Sequence, residues 1–424
     1  MGTVTQGSAA SEARAATASI FTGGRLLSNG RYRVLITHAG TGVSLCGEHT
    51  LTRWVPDRLE DTSGLAIWLR DSTSGRSFTL GLSPAGQDAE RYETAWEPGV
   101  FTLLHAEDGL DASLEVCVSA AADLEIRRVR ITNRSDRERT IDVTTSADIV
   151  LHRPALDAAH PAFSKLFVQT ECVHDGRTIV ARRRPRGSDE AFPVLVHSLL
   201  EAGSASAETD RVRWLGRGGS PSRPVLMAPG ARLSGTAGNV LDPVMCIRRP
   251  LELAPGASAT LTFVLGVGDT REAALALLPP MGVAGAVDAV FDGARAAARA
   301  QLQRSGVPAD RAAALQSLAV ATLYGDPALR AGHGSLLREP GDAIDVAGLG
   351  FSPSRPGVLA LPGAVASPAD LAALGSARRY WQELGFEADI VVLSPELPLA
   401  PEGLEFLAPD RSGPGGRASL ASAA

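Results

Sequence analysis

The sequence predicts a mainly β protein: one large antiparallel β-supersandwich, followed by a helical linker and a small α/β unit. Three observations carry this prediction. Short runs with a period of two follow one another from Leu26 to Val267, turn-forming residues separate them, and at about residue 270 the period changes to that of a helix.

Residues 1–24 are small, polar and rich in Ala, Ser and Gly, and read as a disordered lead-in. The sandwich is expected over 25–270. Its cleanest strands place Leu110, Ala112, Leu114, Val116 and Val118 on one face, and Ile141, Val143, Thr145, Ala147 and Ile149 on another. Asp71 to Gly75, Asp108-Gly109, Asn133 to Asp136, Asp175-Gly176 and Ala254-Pro255-Gly256 have the chemistry of tight connections between such strands. With one wet face per strand, these runs argue for two antiparallel sheets packed face to face.

Over 271–330, Val287, Val290, Phe291, Ala294, Ala298 and Leu302 recur at helical spacing. Gly306 and Pro308 stop that run, and Arg311 to Tyr324 form a second helix. Over 331–400, the apolar runs Val358 to Leu361 and Ile390 to Leu393 flank a helix that starts at Ser367-Pro368, the pattern of a parallel βαβ unit. Residues 401–424 read as a disordered tail.

The chain has 424 residues, 44% of them hydrophobic and 21% charged, and its net charge of −6 offers no general attraction to nucleic acid or anionic membranes. There is no signal-peptide pattern at the N-terminus and no apolar run long enough to cross a bilayer, so the expected location is cytoplasmic. Cys46, Cys117, Cys172 and Cys246 stand singly, without metal-ligand spacing, and read as buried thiols in a reducing compartment. No metal or cofactor is expected. Nearly every basic residue is Arg, and Lys165 is the only lysine.

The densest set of chemistry-bearing residues is His160 to Glu171. On a strand, Lys165, Phe167, Gln169 and Glu171 would share one face. An aromatic ring for the apolar side of a pyranose, with polar ends for its hydroxyls, makes a sugar-binding surface. The same residues also read as a solvated strand face with a Lys–Glu pair. Trp68, inside an apolar run, reads as core, whereas Trp54 between Arg53 and Pro56 reads equally as core or as an exposed indole. Gly216 to Ser220 is Gly-rich but lacks the context of a phosphate loop, and Arg182 to Arg186 reads as a solvated hairpin end.

Several segments resemble the sandwich module that accompanies the helical barrels of cyclic β-1,2-glucan synthases: LLSNGRYRVLIT (26–37), LTRW (51–54), IWLRD (67–71), DAAHPAFSKLFVQTE (157–171) and LDPVMCIRR (241–249). RYWQELGFEADIVVLS (379–394) is similar to the α/β segment that follows it in those enzymes. Val43 to Glu48 departs from the family pattern, which usually shows an aromatic and basic stretch there. The resemblance implies a galactose-mutarotase-like sandwich. In this family, with its cellobiose phosphorylases (glycosyltransferase family 36, glycoside hydrolase family 94 type), catalysis belongs to an (α/α)6 barrel that no segment here matches. No catalytic residue is therefore carried over.

The matching positions imply a structural or glycan-contacting role for Arg53, Trp54, His160, Lys165, Gln169 and Glu171. The implied partners are a β-glucan oligosaccharide and either a barrel-bearing catalytic chain or a second copy. Three functions stay open: a carbohydrate-associated module, a stand-alone glucan-binding protein, and a complete enzyme with carboxylates on the sandwich face.

Overall fold

The computed structural model describes residues 23–56, 61–86, 89–280, 283, 285–324, 352, 355–360, 367–393 and 404–407. The expected disorder of the lead-in through residue 22 and of the tail after 407 lies outside them, as does most of the connector between 325 and 354. The chain divides into two compact units, with the boundary in the sequence between Ala298 and Arg299 and residues 22–24 grouped with the second.

In the first unit, the early strands are Gly24–Ser28 (β1), Tyr32–Thr37 (β2), Gly42–Cys46 (β3), His49–Thr52 (β4), Ala66–Asp71 (β5) and Ser77–Thr79 (β6). Then come Arg91–Glu97 (β7), Val100–Glu107 (β8), Leu110–Val118 (β9), Leu124–Asn133 (β10) and Arg139–His152 (β11). Val168–Val173 (β12), Thr178–Arg183 (β13), Val194–Leu199 (β14), Ser206–Asp210 (β15), Pro243–Leu253 (β16) and Ser258–Gly268 (β17) complete the set.

They form the expected sandwich. One nine-stranded sheet runs β1-β2-β3-β4-β11-β16-β15, with β5 paired to β11 and β6 paired to β5, and one eight-stranded sheet runs β12-β13-β14-β17-β10-β9-β8-β7. The paired strands of these two sheets run antiparallel, and the predicted turns behave as their residues require. Asp108 and Gly109 take φ of 50° and 70°, the double left-handed geometry of a two-residue hairpin, and join Glu107 to Leu110 in register. The alternating apolar faces meet between the sheets, where Tyr32, Ile36, Phe101, Val129, Ile141 and Phe263 are all buried.

The expectation of one wet face per strand fails at the sheet centres. The outer side of the nine-stranded sheet is covered by the segment after β15, so that Trp68, Val244 and Cys246 pack against Trp214, Leu215 and Met227. The outer side of the eight-stranded sheet is covered by the helix Ala286–Ser305, whose Phe291 and Ala294 close over Val100, Cys117 and Ile126. Gly99 permits that approach: its φ is +92°, and a Cβ there would stand 2.5 Å from the Ala294 carbonyl oxygen.

Short helices interrupt the β region at Pro154–Ala159, Pro161–Lys165 and Arg211–Leu215. The first two correct the expectation that Lys165 and Phe167 lie on a strand with Gln169. Pro154 and Pro161 each start a helix, where a fixed φ and a missing N–H cost nothing, and β12 begins only at Val168. At the end of β11 a bulge changes the register between Ile149 and His152, with Leu151 at φ +52°. This kink turns the chain out of the sheet into the helical pair.

In the second unit, the strands Gly357–Ala360 (β18) and Asp389–Leu393 (β19) run parallel around the helix Pro368–Glu383, as the βαβ pattern requires. Ser367 and Asp370 form a reciprocal capping box at the start of that helix. A third parallel strand, Glu405–Leu407 (β20), pairs with β19; it corrects the reading of that stretch as tail. Trp381 is buried, with its Nε1 donating to the Leu315 carbonyl of the helix Ala309–Tyr324 at 3.1 Å. No helix among the described residues is long and apolar enough to cross a membrane.

Candidate functional site

Six of the residues at one end of the nine-stranded sheet form a charge-balanced network. Arg53, just after β4, holds Asp157 through Nη1 at 2.5 Å and Nη2 at 3.1 Å. Arg211, just after β15, donates from Nε to Asp148 Oδ1 at 2.8 Å and reaches Asp242 Oδ2 at 3.5 Å. Lys165 closes the set with its Nζ 2.6 Å from Asp242 Oδ1. Burial and the charge of Asp242 raise the Asp148 carboxyl above the usual range, against the pull of Arg211. Beside Asp148 is a cavity of about 110 Å³ walled by Arg53, Ser146, Arg211 and Trp214.

This network accounts for two of the predicted residues. Arg53 and Lys165 tie the helical pair to the sheet end, Arg53 through Asp157 in the first helix and Lys165 from the second. Trp54 is half-buried beside them, so its ring is neither fully core nor an open platform. His160 is exposed at the joint between the two helices, where its carbonyl accepts from the Ser164 N–H at 2.9 Å.

Gln169 and Glu171 belong to a different place. On β12, at the edge of the eight-stranded sheet, they share one face as the alternation predicts, and they line an open groove of about 200 Å³ with Arg182, Asn239 and Arg271. Gln169 Nε2 donates to Asn239 Oδ1 at 2.8 Å, and its Oε1 accepts from Arg182 Nε at 3.2 Å. Arg271 holds Glu171 through two bonds of 2.7 and 2.8 Å, which keeps that carboxyl below the usual range. Thr170, pointing the other way, pairs with Gly238 through the main chain, and this bridge brings Asn239 alongside the strand.

Phe167 faces neither set. It is half-buried against Phe163, with the guanidiniums of Arg183, Arg184 and Arg186 over its ring. Arg183 is buried between Phe167 and Phe192, so the basic run is a solvated end only at Arg182, Arg184 and Arg186. Sequence reasoning missed Asp148, Arg211, Asn239 and Arg271. Asp157 and Asp242 lay within the quoted motifs without being singled out.

The family model of the glycosyl hydrolase 94 supersandwich domain matches residues 23–281. The chain belongs to that family. The chain is 32% identical over 319 residues to the cyclic beta-(1,2)-glucan synthase NdvB of Rhizobium meliloti (strain 1021), a match covering 72% of this chain and 11% of that protein. The chain is 26% identical over 216 residues to the solabiose phosphorylase of Paenibacillus borealis, covering 49% of this chain and 26% of that one. The chain thus spans only a minor part of these relatives' length.

Among solved structures, a bacterial glucoamylase complexed with acarbose is similar at a TM-score of 0.46 and 6% identity, over 72% of this chain and 40% of that one. A putative aldose 1-epimerase of Escherichia coli K12 is similar at 0.36 and 8%, over 58% of this chain and 99% of that one.

Proposed function

We propose that the supersandwich is the glycan-holding, non-catalytic module of a β-glucan-processing enzyme, and that the β12 groove is where it touches the glucan. The observation that carries this reading is the composition of the groove. Two amides, two guanidiniums and a carboxylate converge there, each oriented by another, and together they offer both donors and acceptors to sugar hydroxyls. The resemblance to a cyclic beta-(1,2)-glucan synthase and a solabiose phosphorylase suggests the ligand class.

A chemical role for the sandwich carboxylates has one observation in its favour, the raised Asp148 beside a cavity. Its Oδ1 is taken up by Arg211 at 2.8 Å and its Oδ2 faces Arg53 at 4.0 Å, which leaves it poorly placed to protonate a glycosidic oxygen.

Titration calorimetry with linear and cyclic β-1,2-glucans and cellobiose tests the proposal. A β-1,2-glucan should bind, Gln169→Ala combined with Arg271→Ala should weaken it at least tenfold, and Lys165→Ala should leave it within about twofold. The glucan should be recovered with unchanged chain length. A folded protein that binds none of these sugars, or that shortens the glucan, contradicts the reading.

A further inference from the structure

A larger cavity lies elsewhere, on the outer face of the nine-stranded sheet. It is a groove of about 520 Å³, within the usual size of small-molecule sites. Trp68, Leu215, Val225 and Met227 give it apolar walls, while Arg217 and Arg223 stand on its rim. Both arginines are exposed, and neither guanidinium has an ion-pair or hydrogen-bond partner among the described residues. That isolation is written into the chain. From Arg211 to Leu241 there are five arginines and no carboxylate, in a protein whose net charge is −6.

The rim is also fixed in place. The buried guanidinium of Arg248 donates to the carbonyls of Leu226 at 2.6 Å and Ala231 at 2.8 Å. Arg70, neutralised by Asp142 at 2.6 Å, donates to Ala231 at 3.2 Å. Gly219 lies so close to the end of the helix Arg211–Leu215 that a Cβ there would be 2.0 Å from the Leu215 carbonyl oxygen. A loop held at so many points presents its cationic side chains over a preformed recess, so little ordering cost remains for a ligand to meet.

The polar side chains lining this groove contrast with those of the β12 groove. Arg217 and Arg223 only donate, the hydroxyls of Ser77 and Ser222 donate or accept, and no carboxylate or amide side chain lines the recess. A neutral sugar needs acceptors as well as donors, and the two serine hydroxyls are the only side-chain oxygen acceptors in the lining. An oxyanion needs donors alone, and the guanidinium fork matches its geometry. The apolar walls are suited to the C–H face of a pyranose.

We propose that this groove binds an anionic saccharide, a sugar carrying a phosphate or carboxylate group, with Arg217 and Arg223 on the anion. The site is separate from the β12 groove and does not depend on the glucan reading.

The test is calorimetry of the full chain with glucose 6-phosphate and glucuronate, with glucose and inorganic phosphate as the partial ligands, at two salt concentrations. At least one anionic sugar should bind tenfold or more tightly than both glucose and phosphate, and its affinity should fall at higher salt. Arg217→Ala combined with Arg223→Ala should weaken it at least tenfold, with an unchanged urea midpoint. Arg213→Ala, which removes an exposed arginine paired with Asp210 outside the lining, should leave it unaltered. The proposal is overturned if both anionic sugars bind no better than inorganic phosphate or glucose, or if Arg213→Ala weakens binding as much as the rim substitutions. Because none of these arms uses a neutral glucan, its failure and that of the β12 reading are told apart.

Discussion

Arg139→Ala should cost about 3–5 kcal/mol of folding stability, the range for a buried ion pair that loses one partner. Arg139 is 1% exposed and stands at the start of β11, where its Nη2 is 2.7 Å from Asp71 Oδ2 and 3.0 Å from Asp108 Oδ2. Asp71 ends a strand of one sheet, and Asp108 turns a hairpin of the other. One guanidinium therefore staples the two sheets together, and its Nη1 also donates to the Asp108 carbonyl at 2.8 Å.

Burial alone would push the Asp71 carboxyl up. The Thr73 N–H and the charge of Arg139 outweigh that and hold it below the usual range. Without Arg139 the carboxylate, 2% exposed, keeps its desolvation cost and loses its cation. Urea unfolding of Arg139→Ala measures the loss, and Arg139→Met combined with Asp71→Asn should recover part of it by removing the stranded charge. A loss below about 1 kcal/mol for the single substitution would show that water reaches Asp71.

The second large effect is on acid stability. His197 is fully buried on β14, with Nε2 2.8 Å from Thr145 Oγ1, Nδ1 3.1 Å from the Val264 carbonyl, and its ring stacked on Phe263. Burial, reinforced by the charge of Arg127, lowers its pKa to about 4, while the Val264 carbonyl opposes the shift. The unfolded chain, with an ordinary histidine near 6.5, then binds more protons than the native state between those two values. Stability is therefore whole above pH 6.5 and falls as the pH drops toward 4, by about 3 kcal/mol for this one residue.

His38 is lowered to about 4 as well, again by burial first, so the wild type carries both contributions. Urea unfolding of the wild type and His197→Gln, from pH 7 to 4.5, isolates the first. The variant should lose markedly less stability over that interval, whatever its stability at pH 7. Parallel pH profiles would mean that His197 takes up its proton in the native state without penalty.

The parts of the fold that were legible are those whose pattern is local. The strand over Leu110–Val118 alternates strictly, the Asp108-Gly109 turn demands its own geometry, and Ser367-Pro368 marks the start of a helix. The helical pair over 154–165 was not legible, because helices of five or six residues are too short to show a period. The outer core beside Trp68 was not either. Trp214 reaches it from a five-residue helix and Met227 from a three-residue 3-10 turn, both too short for any repeat to announce their burial.

The candidate site divides in the same way. Gln169 and Glu171 share a face because alternation on β12 puts them there. Lys165, two positions before Phe167, reads as part of the same run only if the strand is extended too early. Its partner Asp242 and the Arg53 partner Asp157, 104 positions away, become visible only once the sheets bring them together.

Hydrogen exchange of the full chain with and without a linear β-1,2-glucan tests the central claim most directly. The account predicts protection over β12 and around Gly238 and Asn239, where the groove is built, and none at the Arg53–Asp148–Arg211 network. Protection confined to that network, or absent throughout at saturating glucan, would contradict it.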